Sequence, residues 1–199
     1  MTSVFWFLFL TSVFCILYSG FCILTSGYLG LLMNLDDISN GSLCVIDTNV
    51  LLYAEQGSSL QSQRLLRRCS TGDLIGVMPQ TAWEELTHKL MLAEAMMLGK
   101  IAGSNLSRKL AKQPDLIKTL GLYRDKVLAL VDLGIGFVSC SKEDLFERAL
   151  KLQEKHGLLV NDSMILAIAL RLKADVLVTA DAAFQKIADL HIAIPSDIQ

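Results

Sequence analysis

Four carboxylates stand where short apolar runs give way to polar, helix-opening segments: Asp47 in VIDTNVLLYA, Glu85 in PQTAWEEL, Asp162 in NDSMILAIA and Asp181 in VLVTADAAF. Each taken singly has a structural explanation, because Asp and Asn are strongly favoured at helix starts. Taken together they point to different chemistry. Three or four acids brought to one point repel one another and acquire raised pKa values unless a cation neutralises them. Oxygen-only donor sets select Mg²⁺ or Mn²⁺ over zinc, and no His or Cys accompanies these segments at ligand spacing. The pattern therefore points to a metal-dependent hydrolytic centre, with Glu84 as the alternative to Glu85. Thr48, Asn49, Asn161 and Thr179 are the polar neighbours available to support it.

The elements needed to position these acids can be read from the same stretches. Asp47 closes the run Leu43-Cys44-Val45-Ile46 and Asp181 closes Val176 to Ala180. Short apolar runs with β-branched residues, followed at once by helix-starting residues, are the mark of buried parallel strands. In open parallel sheets, side chains at the carboxyl ends of neighbouring strands converge on one crevice. The spacing predicts strands near 43–47, 74–78, 136–139 and 175–180, and a final edge strand at 191–194. Helices are predicted at 49–55, 60–70, 80–98, 142–156 and 161–173, with a short one after Asp181. Pro79 suits a first helical turn, Trp83, Leu86, Leu90 and Ala93 recur at helical steps, and Asn161 or Asp162 is placed to cap the helix carrying Ile165, Ala169 and Leu172. A helical insertion broken by Gly103 and Pro114 covers about 100–133. Strands alternating with helices imply a three-layer α/β/α domain around a central parallel sheet.

In this order the motifs resemble those of the PIN domain family, a compact α/β fold of metal-dependent nucleases that includes the VapC-type toxins of toxin–antitoxin pairs. Asp47 in DTN matches the family's first acid, Glu85 in EEL its second and Asp162 in NDSMILAIAL its third. Asp181, in the T-x-D pattern with Thr179 and trailed by Phe184, matches its fourth. The match runs from about Leu43 to Pro195. The resemblance implies an endoribonuclease using two Mg²⁺ or Mn²⁺ ions held by Asp47, Glu85, Asp162 and Asp181. It also implies an RNA substrate, and a long helix at 80–98 that offers a groove to a homodimer partner or an antitoxin. A catalytically silent PIN-like module that binds RNA or protein is the alternative. Two phosphotransfer rivals fare worse: a haloacid-dehalogenase phosphatase needs a second Asp where Asn49 stands, and a receiver domain needs an acidic pair ahead of its phosphorylated Asp.

Composition bounds the rest. The formal charge of −2 carries no global signature of nucleic-acid binding, yet between Lys100 and Lys126 seven basic residues face two acids. Arg108, Lys109 and Lys112 from this stretch, with Arg64, Arg67 and Arg68, are the candidates for holding RNA phosphates, which fixes register without reading sequence; an ordinary solvated helix face is the competing reading. Five cysteines, odd in number and without a C-x-x-C pair, suit a reducing compartment. The three histidines are scattered, and no G-x-S-x-G elbow supports a nucleophilic triad. Residues 1–33 form an apolar leader: residues 1–35 have no charge, residues 4–32 are long enough to cross a bilayer, and the first basic residue is Arg64. The missing basic flank argues against insertion, so the leader is read as a start placed too far upstream of Met33, with a transmembrane anchor or a cleaved signal as alternatives. A cytoplasmic nuclease domain at 43–199 follows from the first reading, and a membrane-anchored one from the second.

Overall fold

The computed structural model of the protein describes residues 32–198. Six strands, β1 (Leu32–Asn34), β2 (Leu43–Ile46), β3 (Ile75–Pro79), β4 (Gly136–Val138), β5 (Val176–Val178) and β6 (His191–Ile194), form one sheet in the order β1-β6-β5-β2-β3-β4. All five pairings are parallel. Among the described residues eight α-helices accompany them: α1 (Thr48–Gln56), α2 (Leu60–Ser70), α3 (Gln80–Met97), α4 (Leu106–Ala111), α5 (Pro114–Thr119), α6 (Leu122–Asp132), α7 (Ala149–His156) and α8 (Val160–Leu172).

Alternation along the central strands sorts the core into two layers. Cys44 and Ile46 of β2 and Val176 and Val178 of β5 pack with α1, α2, α3 and α6. Val45 and Leu177 point the other way, against α8 and Phe184. Helix α8 is buried continuously from Ser163 to Ala169, which explains why its sequence is apolar all round instead of along one stripe. The insertion carries a small core of its own, Ile101, Leu110 and Leu120 against Ala95 at the end of α3.

Four sequence expectations need correction. The strand at 191–194 is not an edge, because β1 pairs with it residue for residue, Leu32 with Ile192 and Asn34 with Ile194. Helix α8 begins earlier than expected, with Leu159 as its N-cap and no side-chain cap, so Asn161 and Asp162 lie inside the first turn. Pro79 ends β3 and stands at the N-cap of α3, outside the helix. The helix expected at 142–156 is not regular, because after two α-helical residues it passes through a π-helical turn, Asp144–Arg148. There the fully buried Asp144 gathers Arg148 at 3.0 Å, Arg171 at 2.9 Å and the Ser141 N–H at 2.9 Å; a buried carboxylate needs such partners.

Among the described residues no helix is long and apolar enough to cross a membrane. The apolar leader, apart from Leu32 and Met33 in β1, lies outside the described residues.

Candidate metal centre

The sheet order reverses direction at β2: the chain runs outward through β3 and β4, then returns to β5 on the other flank. Such a switch point opens a crevice at the carboxyl ends of the two strands, and Asp47 and Thr179 follow directly on β2 and β5 there. The Asp47 N–H donates to the Val178 carbonyl at 2.9 Å, continuing the β2–β5 ladder. Its carboxylate caps α1, accepting from the Thr48 N–H at 2.6 Å, and also accepts from the Thr179 hydroxyl at 2.7 Å. The same hydroxyl accepts from the Asp181 N–H at 3.0 Å. One buried threonine thus ties together the residues that carry two of the acids. Asp47 is only 5% exposed. Burial pushes its carboxyl up to about 6, against the bonds from Thr179 and Thr48, and the charges of Glu85 and Asp162 push the same way as burial.

The other acids come from three further elements. Glu85, on α3, is half-buried, and its Oε2 lies 3.3 Å from the Thr48 hydroxyl on α1. Glu84 is exposed and accepts from the Gln80 amide at 3.0 Å; the Gln80 carbonyl oxygen in turn takes the Cys140 N–H just past β4, so Glu84 sits toward the β4 flank. Asp162 is half-buried in the first turn of α8. Its pKa is raised by burial first and then by Asp181 and Glu85, with the Leu159 N–H opposing. Asp181 caps the 3₁₀ turn Ala182–Lys186 through the Ala183 N–H at 2.8 Å. Asn49 accepts from Lys89 at 3.4 Å, and Asn161 is exposed.

The fold therefore brings the four acids from distant parts of the chain within electrostatic reach of one another. They do not form a finished cage: among the described residues no three His, Cys, Asp or Glu side chains are gathered closely enough to hold an ion. The donor chemistry nonetheless fits a hard divalent cation, since only carboxylate and hydroxyl oxygens are offered and the acids penalise one another's charge. Sequence reasoning missed Lys89, whose ammonium pairs with Glu85 at 2.7 Å. The available signal was its place one helical turn after Glu85.

The basic candidates divide. Arg64 makes a two-pronged contact with Asp36, at 2.9 and 2.6 Å. Arg68 donates to the carbonyls of Leu35 and Ile38 and to Asn40, and its own carbonyl accepts the Leu74 N–H at 3.2 Å, where α2 hands over to β3 at the amino end of the sheet. These two arginines fasten residues 35–40 to α2, and Arg68 lies at the opposite end of the sheet from Asp47. Arg67 borders a separate cleft of about 310 Å³ with Leu51, Leu66, Leu90, Lys126 and Leu130. Arg108 and Lys112 are exposed on the insertion, and Lys109 donates to the Ala102 carbonyl.

The PIN domain family matches residues 44–190, most of the chain. The chain belongs to the PIN domain family. Solved structures agree with this fold. VapBC2 from Rickettsia felis bound to a DNA fragment from its promoter is 16% identical, with 77% of this chain and 99% of that chain covered at a TM-score of 0.51. A toxin–antitoxin complex from Klebsiella pneumoniae is 18% identical, with 78% and 99% covered at a TM-score of 0.50. No curated protein matches the sequence. The PIN match spans all four acids and residues 100–133.

Proposed function

We propose that this PIN domain is a divalent-metal-dependent endoribonuclease with Asp47, Glu85, Asp162 and Asp181 as its ligands for Mg²⁺ or Mn²⁺, two ions in all. The observation that carries this reading is Asp47. A carboxylate held almost without solvent at a sheet switch point, with its pKa raised and two like charges beside it, is costly to fold and is accounted for by a cation that neutralises it. Bound ions would activate water and stabilise the leaving oxygen. The chain's own part is placement. Thr179 fixes the rotamer of Asp47 and the backbone of Asp181, while Thr48 orients Glu85 across the α1–α3 interface. That contact, and the turn of Glu84 toward Gln80, favour Glu85 as the ligand.

RNA as substrate rests on family membership, and the exposed Arg108 and Lys112 with Lys109 supply its phosphate contacts. The structural neighbours include toxin–antitoxin complexes, which supports an antitoxin protein as partner and a toxin role. A homodimer through α3 completes this reading, and an RNA substrate places the working protein in the cytoplasm. The test is cleavage of a single-stranded oligoribonucleotide by the full chain with Mg²⁺, with Mn²⁺ and with EDTA. Cleavage that depends on metal supports the reading, and cleavage that survives EDTA overturns it. No cleavage under any condition would leave the catalytically silent binding module.

A further inference from the structure

We propose that Lys89 is the internal counter-ion of the acidic crevice: its ammonium holds Glu85 while no divalent ion is bound, yields Glu85 to the ion, and turns to a phosphate of the substrate. This rests on the proposed cation site and extends it to a residue outside the acid set. A Glu and a Lys four residues apart on one helix ordinarily make an exposed pair of small value. This pair is different because a second helix reaches it. The two oxygens of Glu85 are divided, Oε1 to Lys89 at 2.7 Å and Oε2 to the Thr48 hydroxyl at 3.3 Å, and the Asn49 amide oxygen of α1 lies 3.4 Å from the same ammonium.

The side chains of Lys89 and Glu85 are 40% and 31% exposed, so both groups sit at the mouth of the crevice, where solvent ions and a nucleic-acid backbone arrive. Other paired lysines have partners elsewhere, Lys118 with Asp115 and Lys155 with Asp189; Lys89 alone among these pairs takes one of the four acids. A divalent ion drawn to Asp47 and Asp162 must compete with this ammonium for Glu85. The freed ammonium is a flexible point charge on a four-carbon stem, suited to a phosphate.

The test measures ion binding and catalysis separately on the full chain. Mn²⁺ affinity is determined by titration calorimetry for the wild type, Lys89→Met, Lys89→Arg and, as a control, Lys118→Met. Competition predicts that Lys89→Met binds Mn²⁺ about two- to fivefold more tightly, the range set by the strength of a part-exposed ion pair. At saturating Mn²⁺ the same variant should show a KM for a single-stranded oligoribonucleotide raised about two- to tenfold, from loss of one phosphate contact, with Lys89→Arg recovering most of it. Tighter ion binding with poorer substrate use is a combination that a merely structural lysine does not produce. Unchanged or weaker Mn²⁺ binding by Lys89→Met overturns the counter-ion role, and an unchanged KM overturns the phosphate role. If the wild type itself binds no Mn²⁺, the cation site fails and this inference falls with it; if the wild type binds Mn²⁺ but Lys89→Met is indistinguishable from it, only the role of Lys89 is lost.

Discussion

Asp47 is the residue on which chemistry and stability pull in opposite directions. Its folded pKa, about 6, lies above the ordinary value of 3.8, so between these values the native state binds more protons than the unfolded chain and stability falls as pH rises. Above pH 6 the cost is complete, at about 3 kcal/mol. Asp47→Asn removes this cost. In EDTA, thermal melts should therefore show the variant at least as stable as the wild type at pH 7.5, with its advantage gone by pH 4; an advantage that does not change with pH contradicts the burial argument. The same substitution, and Asp162→Asn, should abolish metal-dependent RNA cleavage, and wild-type turnover by either would remove that residue from the ligand set. Glu85→Gln should lower turnover more than Glu84→Gln. The reverse order moves the ligand by one residue.

Elements place these side chains through a few close contacts, and Gly76 is the tightest. It lies in β3 beside Cys44 of β2, and a Cβ there would meet the Cys69 Sγ at 2.6 Å, Ile135 Cδ1 at 3.0 Å and Ile46 Cδ1 at 3.1 Å. Helix α2 and the entry to β4 close over the sheet because this position has no side chain. Gly76→Ala should cost about 1–3 kcal/mol through overpacking. The readout is the midpoint of denaturant unfolding, with Cys69→Ala in the same chain recovering part of the loss. An unchanged midpoint means that the α2–β3 contact has slack. Because Ile46 immediately precedes Asp47, the single variant should also lower nuclease activity.

At the scale of the whole molecule the insertion carries seven of the 18 Lys and Arg residues, while the four acids lie just past β2 and β5, on α3 and in the first turn of α8. Glu94, buried near the end of α3, ties the two together by accepting the N–H groups of Gly121, Leu122 and Tyr123 at the start of α6, at 2.9, 3.1 and 2.9 Å. Replacing Arg108, Lys109 and Lys112 together by Ala should weaken RNA binding and reduce the slope of log affinity against log salt by up to about two units, at roughly 0.7 for each contact with a single strand. Turnover on saturating RNA should change less. A slope equal to that of the wild type returns these residues to an ordinary solvated face.

Much of this was legible along the chain because it depends on neighbours in sequence. The strands ending at Asp47 and near Asp181, the helical period of α3 and the continuous apolarity of α8 are local patterns, and they were enough to give the parallel α/β fold and the four acids in PIN order. Other features depend on partners far away in sequence. Leu32 and Met33 read as the end of an apolar leader, and with Asn34 they become a strand only because β6 lies beside them. Sequence offers Arg64 and Arg68 as free cations, but Asp36 and the carbonyls of Leu35 and Ile38 engage them. Spacing alone could not tell the surroundings of Glu85 from those of Glu84 or single out Lys89, because Thr48 and Asn49 reach them from another helix. Sequence determined which groups were available and in what order; tertiary structure decided which of them meet, because a hydrogen bond or an ion pair acts only over a few ångströms of space, whatever the separation along the chain.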